Sequence, residues 1–289
     1  MIKCIAIDMD GTLVNSEQVV SKENAQAIKT AQKAGVEVVI ATGRSYEEAR
    51  YVLEEAGLHT YLICANGAEL RNPQGEKQYS VGMTMESIRE VEDIFKKFQL
   101  YFEVYTSEGT YSNDYEKALS VLMDIYLSAS LKDNYEKSLE AAKERFNSGR
   151  VKLIEEYEAL FQDPNKDIYK LLAFSFDEEK LEQAKIELVK LDSIAVSASG
   201  KENIEINDEN AQKGIAVTSF VQERHISLEE TMAIGDNYND VSMFQRVGRA
   251  VAMGNAPQEI KEFAHIVTGT NDEHGVAQAI LNALETVKQ

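Results

Sequence analysis

Between residues 2 and 65 three short apolar runs alternate with two stretches of helical periodicity, and this alternation constrains the fold more than any other feature of the chain. Residues 2–7 are almost wholly apolar, as a strand buried on both faces requires. Ser21 stands where a helix N-cap is needed, Ala25, Ile28, Ala31 and Ala34 recur at every third position, and Gly35 supplies a stop. Residues 36–41 read as a second strand. Tyr46, Ala49, Val52, Leu53 and Ala56 predict a second helix stopped at Gly57, and residues 61–65 a third strand. The order βαβαβ implies a parallel sheet with right-handed crossovers, in which ligands sit beyond the carboxyl ends of the strands. Asp8, Thr42 and Asn66 fall at those ends.

The pattern then changes. Asn72-Pro73-Gln74-Gly75 predicts a turn between short strands at 68–71 and 77–81, and Gly82 a hinge. From Thr84 to about Ala195 the chain is rich in tyrosine and in helical periodicity. One helix carries Met85, Ile88, Val91, Phe95 and Phe98, and strands are predicted near 101–105, 151–154 and 169–176. Afterwards Ile204-Glu205-Ile206 is strand-like, Asn210 caps a helix containing Lys213, and 231–234 is a strand ending at Gly235-Asp236. Further strands at 251–253 and 265–267 and a closing helix with Val276, Ile280 and Leu284 complete the alternation. With 289 residues, about two domains are expected: a core from 1–83 and 196–289, and an inserted α+β domain over 84–195.

Charge narrows the partners. Lys plus Arg number 30 against 49 Asp plus Glu, a net −19 that repels nucleic acid and anionic membranes, so neither is expected as a partner. An anionic substrate must be captured by a local reversal of field, through a cation, a lysine or backbone donors. No apolar stretch approaches the roughly 18 residues of a membrane span, and a cytoplasmic location is expected. Cys4 and Cys64 lie inside strand-like runs and read as buried reduced thiols, and the four histidines show no metal-ligand spacing.

Two acidic clusters follow strands. Asp8-Met9-Asp10-Gly11-Thr12 is compatible with a polar turn, but the chain after Gly11 does not return as an antiparallel partner. Gly235-Asp236-Asn237-Tyr238-Asn239-Asp240 is compatible with an Asx-rich loop capping the next helix. If both reach one sheet edge, Asp8, Asp10, Asp236 and Asp240 gather, and two like charges 4 Å apart cost about 4 kcal/mol at an effective dielectric near 20. Such a gathering calls for a cation. An all-oxygen donor set suits a hard ion, and Mg²⁺ where phosphate is also bound. Thr42-Gly43 offers a hydroxyl and a backbone N–H to an anion. Lys213, near a helix start, opposes the helix dipole by roughly 0.3–1 kcal/mol unless an anion offsets it; the other reading is a solvated surface lysine.

These segments, with Ala41-Thr42-Gly43-Arg44 and Lys213-Gly214, resemble the four ordered motifs of the haloacid dehalogenase superfamily of phosphohydrolases. The insertion, Asn66-Gly67-Ala68 and Ala252-Met253-Gly254-Asn255-Ala256 resemble the Cof-type subfamily with a type IIB cap, so the resemblance spans essentially the whole chain. It implies an α/β fold with a Rossmann-like three-layer αβα core, a parallel sheet and an inserted α+β cap that closes over the site. It also implies a Mg²⁺-dependent phosphatase of small phosphorylated metabolites such as sugar phosphates or phosphorylated flavin- or pyridoxal-type cofactors.

Under that resemblance Asp8 is the nucleophile, forming an aspartyl phosphate, and Asp10 the general acid and base, with its carboxyl raised beside the other acids. Mg²⁺ is held by the Asp8 side chain, the Asp10 backbone carbonyl and Asp236. Met9, Thr42, Gly43, Lys213 and Asn239 hold phosphoryl oxygens, and Asp240 orients Lys213 or a metal-bound water. Arg44 either reaches a second anionic group or faces solvent. The departures are Met9 where leucine is frequent, Val247 where alanine is usual and His265 where an acid is common. Tyr101, Glu103 and Tyr105 share one face of a strand that either borders the substrate or covers the insertion's own core. A phosphomutase and a non-catalytic sugar-phosphate-binding protein are the alternative functions.

Overall fold

A computed structural model describes residues 1–128 and 135–285. The chain forms two compact units, one joining Met1–Ser80 to the chain from Asn210 onward, the other formed by Val81–Glu209.

The first unit is an α/β structure on an eight-stranded sheet. Its strands run Ile266–Val267, Arg249–Ala252, Thr231–Gly235, Cys4–Ile7, Glu37–Ala41, Tyr61–Cys64, Glu69–Arg71 and Lys77–Ser80 from edge to edge. The first six are parallel; the last two are joined by antiparallel pairing, each to the strand before it. Each central strand sends alternate side chains to opposite faces. Ile5, Ile7, Val38, Ile40, Met232 and Ile234 pack with Ile28, Val52, Leu53 and Ile280 of the helices Lys22–Lys33, Tyr46–Glu55 and Gly275–Glu285. Cys4, Ala6, Val39, Ala41, Ala233 and Ala252 face the other way, towards Val217, Phe220 and Phe244 of Lys213–Glu223 and Val241–Phe244. Full burial of Ile5, Ile7 and Ile40 stabilises by roughly 2 kcal/mol each. Ser21 does cap the first helix, accepting from the Asn24 N–H.

Register fixes the site. Ile7 is opposite Ile234 on one side and Ile40 on the other. The residues that follow each of these strands therefore emerge side by side at one edge, although they come from opposite ends of the sequence.

The second unit is α+β. Its sheet runs Ile194–Ser197, Asn203–Asp208, Ile168–Phe174, Tyr101–Thr106, Gly109–Ser112 and Val151–Leu153, antiparallel except for the last pair. Phe102, Val104, Leu171, Ala173 and Ile206 pack against Val91, Phe95 and Leu181 of the helices Met85–Lys97 and Glu178–Leu188. The expected return to the core at residue 196 differs from this division. Asn203–Asp208 pairs with Ile194–Ser197 and Ile168–Phe174, so its backbone bonds tie it to the inserted unit, which ends at Glu209. Tyr101 and Tyr105 lie on the face opposite that unit's main core, in a small cluster with Leu172 and Phe174. That face also buries the Lys170–Glu205 ion pair, at 3.0 Å. Cys4 and Cys64 are buried free thiols. No helix among the described residues is long and apolar enough to cross a membrane.

Candidate active site

Asp8 leaves the central strand with its N–H bonded to the Ile234 carbonyl at 2.9 Å. The chain then makes a wide turn, in which the Leu13 N–H donates to the Asp8 carbonyl and the Val14 N–H to that of Met9. Gly11 makes the turn possible: its φ is 74°, and a Cβ there would stand 2.4 Å from Asp236 Oδ2. Thr12 donates its hydroxyl to Asp236 Oδ1 at 2.8 Å, and Asn255 Nδ2 donates to the Gly11 carbonyl at 2.8 Å. The two acidic loops are thus locked together through Gly11 and Thr12.

Lys213 lies at the centre. Its side chain is completely buried, and Nζ donates to Asp8 Oδ1 at 2.5 Å and to Asp240 Oδ1 at 2.7 Å. Asp240 Oδ2 accepts from the Asp236 and Asn237 N–H groups at 2.9 and 3.1 Å, so both of its oxygens are engaged in holding the loop and the lysine. Asp8, Asp236 and Asp240 each bring a carboxylate oxygen within 4.8 Å of the others. Burial foremost, then the charge of Asp240, pushes Asp8 well above the usual carboxylate range and Asp236 up to about 7. Burial works against the charge on Lys213, but Asp240 and Asp8 together outweigh it and hold the ammonium above its ordinary value.

Three buried carboxylates therefore share one buried ammonium. Isolated, that excess of negative charge is unfavourable. The cluster can hold a metal ion, and its donors are all oxygen, as a hard divalent cation prefers.

Asp10, whose charge adds to the rise of Asp236, has a partner of its own. Its carboxylate, about half exposed, takes a bidentate pair from Arg44, Nε at 2.8 Å and Nη2 at 2.5 Å, because the turn at Gly11 points it towards the loop after Glu37–Ala41. Arg44 Nη2 also donates to Gln18 Oε1 at 2.7 Å. Arg44 is thus held by Asp10 and Gln18 rather than turned to solvent. Thr42 is fully buried, its Oγ1 accepting from the Arg44 N–H at 3.1 Å, and Gly43 lies between them. Met9 is buried in the core with its side chain turned from the edge. Asn239 Nδ2 donates to Asn66 Oδ1 at 3.2 Å. Arg44, Gln18 and Asn66 carry contacts that sequence reasoning did not assign, although the strand-end position of Asn66 marked it.

The site thus holds one oxygen of the Asp8 carboxylate on a buried cation and a second acid, Asp10, on an arginine. A model of the haloacid dehalogenase-like hydrolase family matches residues 5–280. The Phosphatase YwpJ of Bacillus subtilis (strain 168) is 35% identical over 285 residues, covering 98% of this chain and 100% of the relative. The 5-amino-6-(5-phospho-D-ribitylamino)uracil phosphatase YwtE of the same strain is 40% identical over 280 residues, covering 96% and 97%. A solved structure of a haloacid dehalogenase-like hydrolase from B. subtilis superposes with a TM-score of 0.89 at 35% identity, covering 96% of this chain and 99% of that one.

Proposed function

Since the chain belongs to the haloacid dehalogenase-like hydrolases and is a phosphoric monoester hydrolase, we propose that it cleaves small phosphate monoesters with Mg²⁺, through an aspartyl phosphate on Asp8. The observation that carries this is the buried group of Asp8, Asp236, Asp240 and Lys213 at the edge of the central strand. Asp8, Asp236 and the backbone carbonyl of Asp10 would hold Mg²⁺, which neutralises phosphoryl oxygens and so admits an anion to an acidic site.

The chain's own groups do the rest. Lys213 fixes one Asp8 oxygen, leaving the other to attack phosphorus in line with the departing alkoxide. Phosphorus gains a bond to Asp8 and loses its bond to the ester oxygen, which takes a proton from Asp10. Asp10 then removes a proton from water, which attacks the aspartyl phosphate and restores Asp8. Thr42, the N–H groups of Met9 and Gly43, Lys213 and Asn239 hold the phosphoryl oxygens, and Asp240 orients Lys213. The unit Val81–Glu209 acts as the cap that selects the leaving group, and the enzyme works in the cytoplasm. The name of YwtE makes phosphorylated ribityl-aminouracil the first ester to try, beside sugar and pyridoxal phosphates.

A panel of such esters assayed for free phosphate, with Mg²⁺ and with chelator, tests the reading. Release should require the metal and collapse in Asp8→Asn. Undiminished release by that variant would refute the nucleophile, and isomerised ester in place of phosphate would identify a mutase.

A further inference from the structure

Asn66 has no part in the steps above, yet its backbone is held in an unusual way. Ala65, Asn66 and Gly67 follow one another at φ values of 46°, 60° and 113°. Asparagine and glycine tolerate this left-handed region; alanine rarely enters it. Such a run persists where the surroundings enforce it, and here they do. The Ala65 N–H donates to the Arg44 carbonyl at 2.8 Å and the Asn66 N–H to the Thr42 carbonyl at 2.9 Å. At Gly67 a Cβ would stand 2.6 Å from the carbonyl oxygen of Gln212, the residue before Lys213. The loop therefore braces the segments that carry Thr42 and Lys213.

Its side chain reaches the third phosphate-holding group. Asn66 is 3% exposed, and its Oδ1 accepts from Asn239 Nδ2 at 3.2 Å. A carboxamide can present either end to an anion, and only the nitrogen end attracts. With one N–H of Asn239 committed to Asn66 Oδ1, a flip of the amide would set two carbonyl oxygens against each other. The second N–H is then the group left to meet a phosphoryl oxygen. We propose that Asn66 is a positioning residue, which locks the Asn239 carboxamide with its nitrogen towards the transferred phosphoryl group. This rests on the phosphatase reading.

The rival role is purely a backbone one, and substitutions separate the two. Asn66→Gly keeps the left-handed backbone and removes the acceptor. With p-nitrophenyl phosphate and Mg²⁺, kcat/KM is expected to fall about tenfold in Asn66→Gly, since misaiming a donor costs less than the hundredfold of deleting one. In an Asn239→Ala background the same change should cost nothing further, because Asn66 acts through Asn239. Asn66→Asp keeps an acceptor and adds a negative charge, so it should raise KM and hold kcat within about threefold of wild type.

Wild-type kcat/KM in Asn66→Gly, or losses that multiply in the double variant, would overturn the proposal. If the glycine variant does not fold, Asn66→Asp decides, and a fall in kcat beyond threefold overturns it. Failure of the wild type to release phosphate from any ester would instead bring down the phosphatase reading, and this inference with it.

Discussion

Lys213 Nζ lies 2.5 Å from Asp8 Oδ1, with 0% and 6% of the two side chains exposed. The pair spans 205 residues of sequence and joins the carboxyl end of the central strand to the start of the helix Lys213–Glu223. Removing one partner of a buried pair leaves an uncompensated charge.

Lys213→Met is therefore expected to destabilise the metal-free protein by about 3–5 kcal/mol, since Asp8 and Asp240 lose their shared cation. Urea unfolding in chelator measures it. A loss under about 1 kcal/mol would show that the lysine contributes little to the fold.

Stability should also depend on pH in a particular direction. Asp236 rises from an ordinary 3.8 to about 7 on folding, through burial and then the charge of Asp240. A raised carboxyl gives stability that is fully present below about pH 4 and is lost as pH climbs through about 7. Asp8, raised by burial, acts in the same sense. In chelator, Asp236→Asn should thus melt higher than wild type at pH 8, with the difference narrowing towards pH 5. Melting curves showing the same difference at both values would contradict the assignment. Saturating Mg²⁺ should remove the advantage of the variant at pH 8, because the metal favours the charged carboxylates.

Gly11→Ala forces a side chain into a left-handed backbone and against Asp236. We expect a loss of about 1–3 kcal/mol in stability and at least a tenfold rise in the Mg²⁺ concentration for half-maximal activity. An unchanged metal titration would mean that the close approach does not govern the site.

Asp10→Asn separates the two chemical steps. A good leaving group needs no acid, whereas water attacking the aspartyl phosphate still needs a base. With p-nitrophenyl phosphate the variant should release a burst of about one phenolate per site and then stall. Linear turnover with no burst would remove Asp10 from the second step.

Much of the fold is legible in local sequence. Residues 2–7 read as a buried strand, Ser21 as a cap, and the acids at 8, 10 and 236 as strand-end residues, because periodicity and capping are short-range properties. What escaped is tertiary. Lys213 taken alone read by default as a surface lysine, and its burial comes from the alanine-rich sheet face on which its helix lies. The Arg44–Asp10 fork depends on the turn at Gly11, and no spacing announces it. Asn203–Asp208 reads as a strand in either unit, since pairing partners are not written in the strand itself. Gly109–Ser112 is too short and polar to show alternation.

The central position of Cys4–Ile7 bears on how the protein is made. Of its two neighbours, Glu37–Ala41 emerges early from the ribosome, but Thr231–Gly235 comes only after the entire unit Val81–Glu209. Throughout that interval a nascent chain carries a half-built sheet with a bare apolar edge, while the inserted unit has all six of its own strands to hand. Prematurely terminated products should for that reason be sticky and inert, and chaperone demand should persist until Thr231–Gly235 is made, about four fifths of the way through translation.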